Sequence, residues 1–154
     1  MATTSLQRRY APHNACFGCG PANAKGLRLE SVPEGDGCVC TWTSQKHHEA
    51  FDGMLNGGIL GTLLDCHSNW TAAWVLMQRA GADTPPCTVT AEFHVKLRKP
   101  TPSLRELKVV ATPTEVKDDR AVIEARILCD GEVTATCRGL FVAVREGHPA
   151  YHRW

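Results

Sequence analysis

The chain has almost no net charge: Lys plus Arg number 17 and Asp plus Glu 16, a formal +1. It therefore lacks the basic footprint by which nucleic-acid binders hold phosphates, and has no strong attraction to an anionic membrane surface. No stretch reaches the roughly 18 consecutive apolar residues of a membrane-spanning helix. Residues 1–10, MATTSLQRRY, hold no apolar run of the secretory kind, so a cytoplasmic setting is expected. Internal repeats and low-complexity segments are missing too. Eight cysteines are present, but with no export signal they are expected as reduced thiols rather than as a disulfide framework.

At 154 residues the chain makes one domain. Residues 1–28 hold Pro12, Gly18, Gly20, Pro21 and Gly26 with no sustained period, and are expected to be irregular. Residues 29–144 carry the periodic segments, and 145–154 form a tail. Short strands are predicted over 27–32 and 38–43, followed by a polar loop at 44–56. From Gly57 to about Arg79 one helix is predicted. Leu60, Leu63, His67, Trp70, Trp74 and Met77 follow a 3.6-residue stripe, and most other faces are apolar as well, the mark of a buried helix. Gly81 supplies its stop. Everything beyond is strand. Val89, Ala91, Phe93, Val95 and Leu97 alternate with polar residues at a strict period of two. Segments 104–116, 121–127 and 132–144 follow, with Asp130-Gly131 as a hairpin turn and Gly139 as the expected site of a bulge. A helix this apolar is hidden only if a curved sheet wraps it, so the fold class is α+β.

Within that frame a few residues carry chemistry. Asn56 is a favoured helix cap, and Gly57 and Gly58 would leave N–H groups open at the positive end of the helix dipole. Asp65 interrupts the apolar helix, and a carboxylate there needs a partner: His67, Asn69, a backbone group or a reaction. Cys16-x-x-Cys19 is compatible with packing, with half a zinc site completed by His13 or His47, or with a redox pair. Lys96, Arg98, Lys99 and Arg105 form a modest basic group near a strand end, either a solvated face or a contact for an anion.

The segment His48-Glu49-Ala50-Phe51-Asp52-Gly53-Met54-Leu55-Asn56-Gly57-Gly58, with the helix that follows to Asp65, resembles the signature of the PaaI-like acyl-CoA thioesterases of the hotdog superfamily. Cys16-Phe17-Gly18-Cys19-Gly20-Pro21 resembles the lead-in of a subgroup, and Thr88-Val89-Thr90-Ala91-Glu92 and Arg98-Lys99-Pro100 are similar to it as well. The resemblance implies a long central helix wrapped by a curved antiparallel sheet. It implies an acyl-CoA or aryl-CoA thioester as substrate, no cofactor or metal, and assembly with itself as a homodimer or homotetramer. It places Asp65 as general base or nucleophile, Gly57 and Gly58 as oxyanion donors and Thr90 as a support for the attacking water. Asn56, His48 and Arg98 would contact substrate. Two positions depart from the family pattern: Asn56 stands where a His is usual, and Ala50 where several members carry an Asn. A non-catalytic acyl-CoA-binding protein of the same fold is therefore the alternative. Because Gly58 and Asp65 are seven residues apart, about 10 Å along a helix axis, one site built from both would draw them from two antiparallel chains.

Overall fold

The structure, a computed structural model, describes residues 3–152. A short helix α1 (Leu6–Tyr10) opens the chain, inside the stretch expected to be irregular; the Ser5 side chain caps it by accepting from the Arg8 amide. Residues 11–31 run through turns. The strand expected over 27–32 does not form there, because the Leu27 and Leu29 amides donate to the carbonyls of Phe17 and Gly18, at 2.8 and 3.0 Å, rather than to a sheet. Pairing begins only at β1 (Val32–Glu34), an edge position where Pro33 is tolerated. β2 (Gly37–Thr43) follows. The expected polar loop holds a 3-10 turn (Lys46–His48) and a small hairpin of β3 (Glu49–Phe51) and β4 (Met54–Leu55).

The long helix α2 (Gly57–Ala80) forms where the periodicity places it. Gly81 ends it in the left-handed region at φ 62°, a conformation that suits glycine. Then come β5 (Thr88–Leu97), β6 (Glu106–Val116), β7 (Arg120–Cys129) and β8 (Glu132–Ala143). Asp130 and Gly131 turn the last hairpin with positive φ at both positions, 50° and 81°. One six-stranded antiparallel sheet results, in the order β1-β2-β6-β7-β8-β5, with α2 laid across it. The core is the seam between them: Leu60, Leu63, Leu64 and Trp70 of α2 against Ile123, Ile127 and Phe141 of the sheet.

Two details differ from the periodicity. β8 runs in regular register through Gly139, whose missing side chain leaves room for the ring of Phe141, at 2.7 Å from where a Cβ would stand. The bulge beside it lies on the partner strand. Thr90 pairs with Phe141 and Glu92 with Leu140, so Ala91 is the extra residue. The strict alternation expected of β5 is therefore broken. Thr88 and Thr90 share the helix-facing side with Phe93, Val95 and Leu97, because their partners Ala143, Phe141, Gly139, Cys137 and Ala135 are all on that side of β8.

A buried polar chain ties α1 to this core. Gln7 Nε2 donates to Ser31 Oγ at 3.0 Å, Ser31 Oγ meets His67 Nδ1 at 2.8 Å, and His67 Nε2 meets the Cys38 carbonyl at 3.0 Å. A carbonyl only accepts, so Nε2 carries the ring hydrogen and Nδ1 accepts from Ser31. Burial holds the His67 pKa down at about 4. No helix of the described residues is long and apolar enough to cross a membrane.

Candidate active site

The start of α2 is fixed from both sides. The Asn56 side chain accepts from the Ile59 amide at 3.1 Å, and its carbonyl accepts from Leu60 at 3.2 Å. The Asn56 amide in turn donates to the His48 carbonyl at 3.0 Å. The cap thus takes the third and fourth amides, while those of Gly57 and Gly58 enter no backbone hydrogen bond among the described residues. They are the donors of a helix N-terminus, at its positive dipole end.

Two turns further along, Asp65 meets Thr90. The threonine hydroxyl donates to Asp65 Oδ1 at 2.6 Å, a short charge-assisted bond between half-buried side chains. The bulge at Ala91 makes this contact geometrically available, since a regular strand would turn Thr90 to the opposite face from Val95. The expected partners of Asp65 are engaged elsewhere: His67 with Ser31 and Cys38, Asn69 with the Thr88 carbonyl. Across the sheet, burial and then the Asp65 charge push the Cys137 thiol up to about 11.

One groove of about 400 Å³ connects these pieces. Gly57, Gly58, Gly61, Thr62 and Asp65 form one wall and Phe93, Val95 and Leu97 of β5 the other. Sequence reasoning placed Gly57, Gly58 and Asp65 here but missed Gly61 and the β5 residues. Gly61 had a signal, since it lies one helical turn beyond Gly57 and Gly58 and continues their side-chain-free strip; nothing lies within 4 Å of where its Cβ would stand. The β5 wall was hidden by the bulge. That strand is the sheet edge, and Phe93 and Leu97 stay 40% and 55% exposed.

The two remaining substrate candidates lie outside the groove. The His48 ring accepts the Gln45 amide at 2.9 Å and packs at a tilt on Trp42, and partial burial, with the neighbouring His47, lowers its pKa. Arg98 follows Leu97 onto the outer side of the sheet, where its Nε donates to Thr136 at 3.3 Å. It lines a second depression there with Lys96, Arg126 and Arg138. Lys99 and Arg105 pair instead with Glu132 and Asp130, each at 2.9 Å.

For a metal, the described residues offer one cluster. The sulfurs of Cys16, Cys19 and Cys66 lie within 4.8 Å of one another, and His13 and His47 are not part of the group. Cys66, on α2, was not foreseen as a member.

Comparison with solved structures decides the fold. A thioesterase superfamily protein from Shewanella loihica matches with 27% identity and a TM-score of 0.64, over 81% of this chain and 98% of its own. This is the hotdog fold of the thioesterase superfamily. The PaaI protein of E. coli, from the phenylacetic acid degradation operon, shares the fold at 17% identity and a TM-score of 0.65, over 80% of this chain and 85% of its own. A Streptococcus mutans protein solved with acetyl-CoA bound shares it at 14% identity and a TM-score of 0.63, over 75% and 88% of the two chains. No protein-family model matches the sequence, and no curated protein matches it.

Proposed function

We propose that this hotdog protein hydrolyses an acyl-CoA or aryl-CoA thioester. The observation that carries the reading is the Thr90–Asp65 hydrogen bond, 2.6 Å long, which holds Asp65 on the wall of a groove that also includes Gly57 and Gly58. A thioester carbonyl needs a donor for the oxygen that becomes negative and a base or nucleophile for its carbon. Amides at a helix start supply the first, with glycine allowing close approach. Asp65 supplies the second, by taking a proton from water or by attacking directly. Thr90 then acts as a positioning residue as well as a water support. Its proton is committed to Asp65 and fixes the carboxylate, so a water would be held through the lone pairs of the hydroxyl.

A homodimer completes the site. Gly58 and Asp65 are about 10 Å apart along α2, too far for one carbonyl carbon. The exposed apolar edge of β5 is where a second copy would bring its own groove alongside, pairing Asp65 of one chain with Gly58 of the other. A homotetramer would add a second such pair. Asn56 and His48, joined by their backbone bond, would border the acyl group. Arg98 reaches CoA phosphates only where the nucleotide wraps round the β5 edge. The binding of acetyl-CoA by the Streptococcus mutans protein supports the ligand class.

The test is CoA release from short, medium and aromatic acyl-CoAs by the wild type and by Asp65→Asn. Asn keeps the size and removes the charge, so turnover should fall by about 10²–10⁴-fold while the fold and dimer persist. Wild-type turnover in the variant would make Asp65 structural. Binding without release from any substrate would establish the non-catalytic alternative.

A further inference from the structure

We propose that Cys16, Cys19 and Cys66 form a three-thiolate site for Zn2+, which fastens the N-terminal segment to α2 beside the catalytic aspartate. The sulfurs of Cys16 and Cys66 are 3.8 Å apart, across 50 residues of sequence. With Zn–S bonds of about 2.3 Å, the edge of a tetrahedral site is also about 3.8 Å. Cys19 closes the triangle, all three sulfurs lying within 4.8 Å. Drawing that triangle to bonding distance takes a shift of an ångström or less.

The surroundings suit metal thiolates better than packed thiols. The Trp70 indole N–H donates to the Cys19 sulfur at 3.3 Å, the kind of outer hydrogen bond that orients a ligand and offsets its charge. The turn is tight, the Gly20 amide donating to the Cys16 carbonyl at 2.9 Å, which sets both cysteines of the Cys-x-x-Cys on one side. Gly18 is required for the approach: a Cβ there would overlap the Cys66 sulfur and stand 2.7 Å from Thr62 Cγ2.

Three thiolates and Zn2+ leave one negative charge, which the Trp70 N–H faces. The described residues provide no fourth ligand in the group, and Cys16 and Cys66 are only half-buried, so the fourth position falls to water or a small solute. The site joins a segment of turns to the helix one residue from Asp65. Its role is to hold that segment down where core packing alone gives little regular structure.

The experiment uses the full, reduced chain, stripped with chelator and titrated with zinc sulfate. One equivalent should bind and survive dialysis. With Co2+ in its place, a thiolate-to-metal charge-transfer band should appear. N-ethylmaleimide mapping by mass spectrometry should find Cys16, Cys19 and Cys66 protected by zinc while Cys87 stays reactive. Cys66→Ser should lose the stoichiometric metal and Cys129→Ser should keep it. Because the mapping is done on wild type, an unfolded Cys66→Ser cannot hide the answer. Zinc that fails to bind, that fails to protect these three thiols, or that remains in folded Cys66→Ser overturns the site. So does a disulfide between Cys16 and Cys19 or Cys66 in protein isolated without oxidant.

Discussion

His67 offers a stability measurement whose size follows from the structure. Its ring is fully buried, donates from Nε2 to a carbonyl and accepts at Nδ1 from Ser31. A second ring proton would break the Ser31 contact and place a charge in the core. The fold therefore holds the pKa at about 4, against 6.5 for the free side chain. The neutral form is the one the folded state favours. The contribution is accordingly complete above about pH 6.5, is lost as pH falls between 6.5 and 4, and is gone below 4. A difference of about 2.5 pKa units corresponds to about 3 kcal/mol, of which about 2 should be lost between pH 7 and pH 4.5. Carboxylates titrate in the same window, so the comparison is with His67→Gln, which keeps them and removes the imidazole. Urea unfolding at pH 7, 5.5 and 4.5 gives both curves. The variant will be less stable at pH 7, but its decline on acidification should be about 2 kcal/mol smaller than that of the wild type. Parallel declines would mean that His67 is not held neutral and that the Gln7–Ser31–His67 chain does not hold in solution.

Other outcomes bear on the site. Thr90→Val removes the hydroxyl at nearly constant volume; turnover should drop roughly tenfold or more with little change in KM, since the loss is in orienting Asp65, and a change confined to KM would point to substrate binding instead. Mixing Gly58→Val chains with Asp65→Asn chains should restore about half of wild-type activity per heterodimer, because a two-chain site puts both lesions in one site and leaves the other intact. Valine at 58 presses on the Asn56 cap, 2.9 Å from where its Cβ would stand, so circular dichroism must first show both parents folded. No recovery in a verified heterodimer would place the whole site within one chain.

The long helix was legible because its composition leaves only one solution. A segment apolar on nearly every face must be wrapped, and the four later segments with period-two patterning are what wraps it. Asn56 and Gly81 marked its ends through capping chemistry that is local in sequence. Asp65 was legible as an anomaly; Thr90 entered only through the family resemblance, as a support for water, and not as the hydrogen-bond partner of Asp65. His67 and Asn69 are near it in sequence, whereas Thr90 is 25 residues away and on the wrong side of an ideal strand. The three-sulfur cluster was half visible for the same reason: Cys16 and Cys19 advertise themselves by spacing, while Cys66 joins them only through the packing of the N-terminal loop on α2. The strand predicted over 27–32 does not form at Leu27 and Leu29 because both are buried with their amides bonded to loop carbonyls rather than to a sheet, and burial alone does not distinguish the two.

The extra residue at Ala91 affects how this chain is compared with its relatives. A bulge is an insertion without a loop, so an ungapped alignment of β5 with a strand that lacks the bulge will match every position on one side of it to a neighbour that points the other way. The error does not show in similarity scores, since threonine, valine and alanine exchange readily in strands. It shows in which residue is credited with facing the carboxylate. For this strand, homologous positions have to be assigned by the β8 residue each one pairs with, using Phe141 as the fixed point for Thr90, and only then compared for chemistry.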